Sequence, residues 1–422
     1  MDIVRQLVES RPDFFANRFA HLERAARIND FIYASPGSTW AYMLLTEAGR
    51  IIINTGLGIE AATHKKAFDA VCAGPTPYIV LLQGHVDHLG GVNRFREPGT
   101  RLIAQRNNAA CQRDDERIRP LRQRQSAIWF GEQIKDMARL AGRPGADLHQ
   151  DQPLPDISFD DRLELELGGL SIELLSVPGG ETIDSCALWL PRHGIVFSGN
   201  MFGPLFPHFP NFNTIRGDRY RFVEPYLASL ARVRALEPEM LIPGRFDPIV
   251  GRGLIRSCLD RLEAAVRHVH EATLEGMNRG VDIWTLMREI ELPESLFVGQ
   301  GYGKVSWCVR TIWESYMGWF KAQATSELYA TQPRAIHAEL VALAGIDAVL
   351  ARGGEKLEAG DPEAACLFAE AALAQEPRNP SALQLSLAAH RALLARSGAT
   401  NFWETGWLKS EVARLESELQ SS

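Results

Sequence analysis

Hydrophobic and polar positions change rhythm once along this chain, near residue 250. Between about residues 30 and 180, short apolar runs bounded by Gly, Pro or Asn recur: INDFIYAS, WAYMLLTE, GRIIINTG and YIVLLQGH. Runs of that length between turn residues predict core strands. ATHKKAFDAVCAG, between two of them, predicts a helix, and the polar, charged stretch from Arg101 to Gly142 predicts helices that cross or cap a site. ISFDDRLELELGGLSIELLSVPGG alternates with period two about a Gly-Gly turn, which predicts a hairpin. ALWLP and GIVFSGN add two strands. Strands interleaved with helices predict an α/β or α+β sandwich.

After Pro248 the rhythm is helical. LIRSCLDRLEAAVRHVHEATLEGMNRG predicts an amphipathic helix closed by Gly, and helical periodicity continues nearly to the end. Two domains are therefore expected, residues 1–250 and 251–422. Near 340–395, a helix, a Pro-containing turn and a second helix are similar to one tetratricopeptide-type pair, and an ordinary helical hairpin fits equally well. Trp307, Trp313, Tyr316, Trp319 and Phe320 recur at helical spacing, as core or subunit-contact residues do. His268 and His270 are adjacent but one and do not share a helix face, so they are expected on the helix surface or at a dimer contact.

Composition narrows the partners. The 422 residues carry a formal charge of -7, and the sequence pI is about 5.9, which argues against nucleic acid or an anionic membrane as a partner. No apolar run approaches the roughly 18–20 residues that span a bilayer. MDIVRQLVESRPDFF has no cationic start followed by an apolar stretch, so the expected compartment is the cytoplasm. The six cysteines are widely spaced without a CxxC pair, and reduced thiols are expected.

Four loops carry candidate chemistry, each after a strand-like run. LLQGHVDHLGG, Leu81 to Gly91, sets His85, Asp87 and His88 on one tight turn, with glycines that let the backbone make it. PGGETID offers the Glu181 carboxylate, which can ligate a metal or satisfy loop N–H groups. FSGNM places Asn200 at a strand end, and LIPGRFD places Arg245. His208, in FPHFPNF, is a candidate lining residue.

The order of these loops resembles the metallo-β-lactamase superfamily. GRIIINTG resembles its IDTG strand with Asn54 for Asp, and QGHVDHLGG resembles HxHxDHxGG. GGETID resembles GHTxD, IVFSGN the strand that carries a bridging carboxylate, and IPGRFD the PGHG loop. IELPESL, YGKVSWCVRTIWESYMGWF and TNFWETG look like the all-helical dimerisation domain of the alkyl sulfatases, and HFPNFNTIRGDRYR resembles the loop with that family's sulfate-binding arginine, here Arg216. The resemblance implies an αββα sandwich followed by an all-helical dimerisation domain, a homodimer, and ester hydrolysis with metal-activated water.

Residue by residue, it implies one metal position at Gln83, His85 and Glu181, a second at Asp87, His88 and Arg245, and Asn200 as the bridge. Arg245 is the decisive departure, because a guanidinium stays protonated and offers no lone pair to a cation. Its expected place is that of the second metal, paired with Asp87, and the neutral Asn200 fits the loss of a bridged dication. What remains is Gln83, His85 and Glu181, or His85, His88 and Glu181 if the turn shifts: an open site for one divalent metal, Zn first and Fe or Mn next. Asp87, Arg245 and Asn200 are the candidate catalytic groups, and Arg216 and His208 the candidate substrate-binding groups.

Three functions compete. The first is a mononuclear metallohydrolase acting on a small ester of sulfate or a related oxyanion, with Arg216 as the oxyanion clamp. The second is a non-haem iron redox enzyme or lyase built on His85, His88 and Glu181. The third is a metal-free scaffold kept for binding or dimerisation.

Overall fold

A computed structural model describes residues 2–16, 22–142, 148–212, 214–330 and 332–421, and the chain divides into two compact units, Met1–Trp313 and Glu314–Ser422. The first holds two sheets. In one, the strands Ala26–Arg27, Ile32–Ser35, Ala41–Thr46, Gly49–Ile53, Tyr78–Val80, Arg101–Gln105 and Ile157–Phe159 lie in sequence order, and the last three pairings are parallel. In the other, Arg162–Leu167, Leu170–Ser176, Cys186–Leu190, Ile195–Gly199, Met240–Pro243 and Ile249–Val250 follow one another, with only Ile195–Gly199 and Met240–Pro243 parallel.

Strand alternation sorts side chains into layers. Tyr42, Leu44, Ile51 and Ile53 meet Ile172, Leu174, Leu188 and Phe197 between the sheets. Their neighbours Ala41, Met43 and Ile52 face the other way, onto Ala61 and Phe68 of helix Gly58–Asp69 and onto Val92 and Phe95. On the far side, Leu175, Ala187 and Val196 pack on Tyr226 and Leu230 of helix Val223–Arg234 and on Leu259, Leu262 and Val266 of helix Arg252–Asn278. The order is helix, sheet, sheet, helix, as the resemblance implied.

Two details differ from the sequence reading. RLIAQ, Arg101–Gln105, is a parallel strand rather than the start of the helical stretch; Leu102, Ile103 and Ala104 are buried, and so short an apolar run is lost beside its polar neighbours. The helices there are Asn108–Arg117, Arg119–Trp129 and Gly131–Ala141. The compact units also divide later than residue 250, because helix Arg252–Asn278 shares its core with the sandwich. The Gly-Gly hairpin has the expected register, with Leu167 opposite Leu170. Gly168 and Gly169 both take positive φ, 51° and 79°, which a two-residue type I′ turn requires.

The second unit is helical. Pro362–Gln375 and Pro380–Arg396 form the expected pair, and the Asn379 side chain caps the latter by accepting from the Ala382 amide. Leu383 and Leu387 pack on Leu415 of helix Phe402–Ser421. Tyr316, Trp319, Tyr329 and Leu343 of this unit are exposed. Among the described residues, no helix is long and apolar enough to cross a membrane, and the six cysteines are free thiols.

Candidate active centre

The strand ends deliver the candidate residues to one edge of the sandwich. Gln83 to His88 follow Tyr78–Val80, Glu181 follows Leu170–Ser176, Asn200 follows Ile195–Gly199, and Arg245 follows Met240–Pro243. The edge is stitched across the sheets: the Cys186 amide donates to the Leu82 carbonyl at 2.9 Å, and the Trp40 amide to the Gly244 carbonyl at 3.0 Å. Gly244 is required there, because a Cβ would lie 2.1 Å from Asn200 Oδ1.

Arg245 is held by three hydrogen bonds. Its NH2 donates to Asp87 Oδ2 at 2.9 Å, its NH1 to Asn200 Oδ1 at 3.1 Å, and its Nε to the Ser38 carbonyl. Thr39 Oγ1 also donates to Asp87 Oδ2, at 2.5 Å. The guanidinium is buried, so the pair acts in a medium that screens it little. Burial pushes the Asp87 carboxyl up, but His88 and Arg245 outweigh it and hold it well below the ordinary range. His88 is held neutral by burial, its pKa lowered to about 4.

The other half gathers on Glu181. Gln83 Nε2 lies 2.9 Å from Glu181 Oε2 and 2.8 Å from His85 Nδ1, and His85 Nδ1 lies 3.5 Å from Glu181 Oε2. Asn200 Nδ2 donates to His88 Nε2 at 3.1 Å and stands 3.4 Å from Glu181 Oε2. His85, His88 and Glu181 are not gathered as one set. Among the described residues, no group of three or more His, Cys, Asp or Glu side chains is arranged to hold a metal ion.

Tested against these contacts, the family's second metal position does not fit, since a permanent cation already holds Asp87 there. The first has donors spaced so that an ion could sit among them. His85 Nδ1, Glu181 Oε2 and the Gln83 amide are 2.8–3.5 Å apart, about the spacing of donors around an ion with ligand distances near 2.1 Å. The amide must then turn to offer its oxygen.

The sequence reading passed over Asp218, Arg221, Arg122 and Asp115. Asp218 Oδ2 faces His85 Nε2 at 3.5 Å, Arg122 NH2 donates to Asp218 Oδ1 at 3.0 Å and pairs with Asp115 at 3.0 Å, and Arg221 holds the Glu181 carbonyl at 2.8 Å. Burial pulls the His85 pKa down, yet Asp218 and Glu181 raise it to about 10. The signal was a charged run, DRYR after Gly217, in a loop that reads as solvated unless the fold is known.

A cavity of about 850 Å³ opens on His85 and Glu181. Its exposed lining is mostly apolar, with Ile118, Leu121, Ile183, Phe222 and Pro225, and its charged members are largely paired with one another. Arg216 is not on this wall. Its guanidinium lies 5.8 Å from the Phe130 ring centroid, and its buried Nε has no hydrogen-bond partner among the described residues. Tyr302, also passed over, is pushed up in pKa by burial and lies within electrostatic reach of Glu181, Arg216, Arg245 and Arg221.

His208 does not line the cavity. Its Nδ1 accepts from the Gly301 amide at 3.0 Å, and Gly299 sits against its ring, where a Cβ would come within 2.4 Å. Burial, with Arg11 adding, lowers its pKa to about 4. The folded state therefore resists a proton that the unfolded chain accepts near pH 6.5. Stability through this group is full above pH 6.5 and is lost as pH falls toward 4, by on the order of 3 kcal/mol. In denaturant titrations, the stability gap between the parent chain and His208→Gln is expected to shrink over that window; a gap constant with pH would contradict the assignment.

Comparison with known proteins gives the same architecture. A family model described as the metallo-beta-lactamase superfamily matches residues 34–245, and one described as alkyl sulfatase dimerisation matches residues 284–411. The linear primary-alkylsulfatase of Pseudomonas sp. (strain ATCC 19151) is 27% identical over 399 residues, covering 90% of this chain and 74% of that protein. The alkyl/aryl-sulfatase BDS1 of Saccharomyces cerevisiae is 23% identical over 253 residues, 58% of this chain and 38% of that protein. The structure of the stereoselective inverting sec-alkylsulfatase Pisa1 from Pseudomonas sp. superposes with a TM-score of 0.81 at 17% identity, over 93% of this chain and 66% of that one. The chain thus spans about two thirds of the solved relative. With the four-layered sandwich, the loop order and a match over half its length, this chain belongs to the metallo-beta-lactamase superfamily and carries an alkyl-sulfatase dimerisation segment in its helical part.

Proposed function

We propose that this chain is a hydrolase of the alkyl-sulfatase kind, cleaving an ester that joins an oxyanion head, sulfate or a close relative, to an apolar tail. Its family is one of metal-dependent hydrolases, and the reading here is a reduced centre that takes one divalent ion, zinc being the first candidate. The observation that carries the proposal is the 850 Å³ cavity, largely apolar in lining, whose wall includes His85 and Glu181. A tail buried there leaves its polar head at the centre, and each methylene buried contributes about 0.8 kcal/mol to binding.

A bound cation supplies a water of lowered pKa and positive charge at the ester. The chain's own groups do the rest. Gln83, His85 and Glu181 would hold the ion, with Asp218 behind His85 fixing the ring. Arg245 fills the second position and keeps Asp87 and Asn200 in place. Arg216, with an unpartnered Nε and a planar fork, is the proposed clamp for the oxyanion. The iron alternative rested on His85, His88 and Glu181 as one set, which the geometry does not offer.

The matched dimerisation segment and the exposed Trp319, Tyr329 and Leu343 support a homodimer formed through the helical part. The proposed division is a catalytic domain over residues 1–250 and a dimerising one over 251–422, supported by the matches at 34–245 and 284–411, with helix Arg252–Asn278 packed on the catalytic side. The proposed compartment is the cytoplasm.

The test is sulfate release from linear alkyl sulfates of graded length with zinc supplied. kcat/KM is expected to rise with tail length until the cavity is full. Arg216→Ala should raise KM or lower kcat/KM by about 10- to 1000-fold, as the loss of a charged oxyanion contact does. No release across the series with any divalent metal would overturn the proposal.

A further inference from the structure

The three departures from the family's ligand pattern share one property: each puts N–H groups where the family places a cation. Gln83 Nε2 stands between His85 Nδ1, at 2.8 Å, and Glu181 Oε2, at 2.9 Å, with one hydrogen for each. Asn200 Nδ2 caps His88 Nε2 at 3.1 Å and lies 3.4 Å from Glu181 Oε2. Arg245 NH2 caps Asp87 Oδ2 at 2.9 Å, while its NH1 takes Asn200 Oδ1 at 3.1 Å and so fixes which way that amide points. Asp87, His88 and Glu181 therefore each already have a hydrogen donor from a substituted residue, and His85 has one while its ring is neutral. His85, His88 and Glu181 are buried, and Asp87 keeps 23% of its side chain exposed.

A metal-ligand cluster left empty in such a place would strand lone pairs and like charges at high cost. Here the donor atoms that would face a metal are covered, while His88 Nδ1, the other nitrogen of that ring, is buried without a hydrogen-bond partner among the described residues. With the His85 ring neutral, Nδ1 accepts from Gln83; with the ring charged, Nδ1 faces the Glu181 carboxylate at 3.5 Å. Asp87 has its guanidinium in either case.

We infer that Gln83, Asn200 and Arg245 together are a built-in replacement for the family's metal pair, so that the metal-free chain is a complete, folded state and not a depleted one. Entry of an ion is limited to the half around Glu181 and has to displace the Gln83 N–H groups, which makes Gln83 the residue that sets metal affinity. The Arg245 half stays closed to cations. The inference concerns the centre of the proposed hydrolase but does not need the ester. Its readouts are metal binding and melting, whereas failure of the activity reading shows only as absent sulfate release.

The experiment is thermal melting of the full chain with and without a strong chelator, alongside calorimetric titration with zinc alone. For the parent chain, chelation is expected to move Tm by less than about 1 °C, and zinc to bind at no more than one ion per chain. Gln83→His, which replaces the capping amide with an imidazole donor, is expected to bind zinc about 10- to 100-fold more tightly and to become chelator-sensitive. Asn200→Ala, which uncaps His88, is expected to lower Tm in chelator by several degrees. A parent chain that loses more than about 5 °C on chelation, or that binds two zinc ions, overturns the inference. So does a Gln83→His variant with unchanged affinity.

Discussion

Arg245→Met is expected to be the most damaging single change at the centre, lowering the stability of the first unit by about 3–5 kcal/mol. Methionine keeps much of the volume but removes three donors at once, those to Asp87, Asn200 and the Ser38 carbonyl. Asp87 would keep Thr39 and lose its countercharge inside the protein. The cost is the uncompensated charge, more than the pair itself. The double variant Arg245→Met/Asp87→Met removes both charges and is expected to recover more than half of the loss. Denaturant titrations of the single and double variants measure that coupling. If Arg245→Met costs under 1 kcal/mol, or the double variant is no better than the single, the guanidinium does not hold Asp87 as described.

The second large effect is a gain. Gln83→His, Asn200→Asp and Arg245→His together restore lone pairs at all three substituted positions. Aspartate is chosen at position 200 because it keeps the length and shape of the Asn200 side chain, which packs closely on Gly244. The triple variant is expected to bind two zinc ions per chain, at least on the order of a thousandfold more tightly than the parent binds one. It should also depend on them for stability: without metal, the carboxylate at position 200 replaces an amide that now stands 3.4 Å from Glu181 Oε2 and sets like charges side by side. Arg245→His alone is expected to gain little, since Asn200 would still donate to His88 Nε2 instead of leaving that lone pair to an ion.

Much of this was legible in the residues. The hairpin about Gly168 and Gly169 could be read to its register, because both turn positions demand positive φ. Arg245 could be placed opposite Asp87 because a guanidinium can only replace a cation, never ligate one. Other parts were hidden for physical reasons. RLIAQ is buried in the parallel part of its sheet, and five residues carry too little periodicity to be seen. Asp218 and Arg122 are separated by 96 residues and read as surface charges until the fold brings them to His85. His208 looked like a pocket residue from its neighbours, yet its ring is spent on the Gly299–Gly301 loop. The direction of the Gln83 and Asn200 amides, on which the metal-free reading depends, is written in no motif; it follows from what surrounds each amide in three dimensions.

The central claim is that N–H donors stand where the family's two metals would be. Its most direct test is the metal content of the parent chain and the triple variant, purified side by side without chelator, with zinc, iron and manganese counted per chain by mass spectrometry. No more than one ion is expected in the parent and two in the triple variant. Two ions in the parent would contradict it, because Arg245 would then have to point away from Asp87.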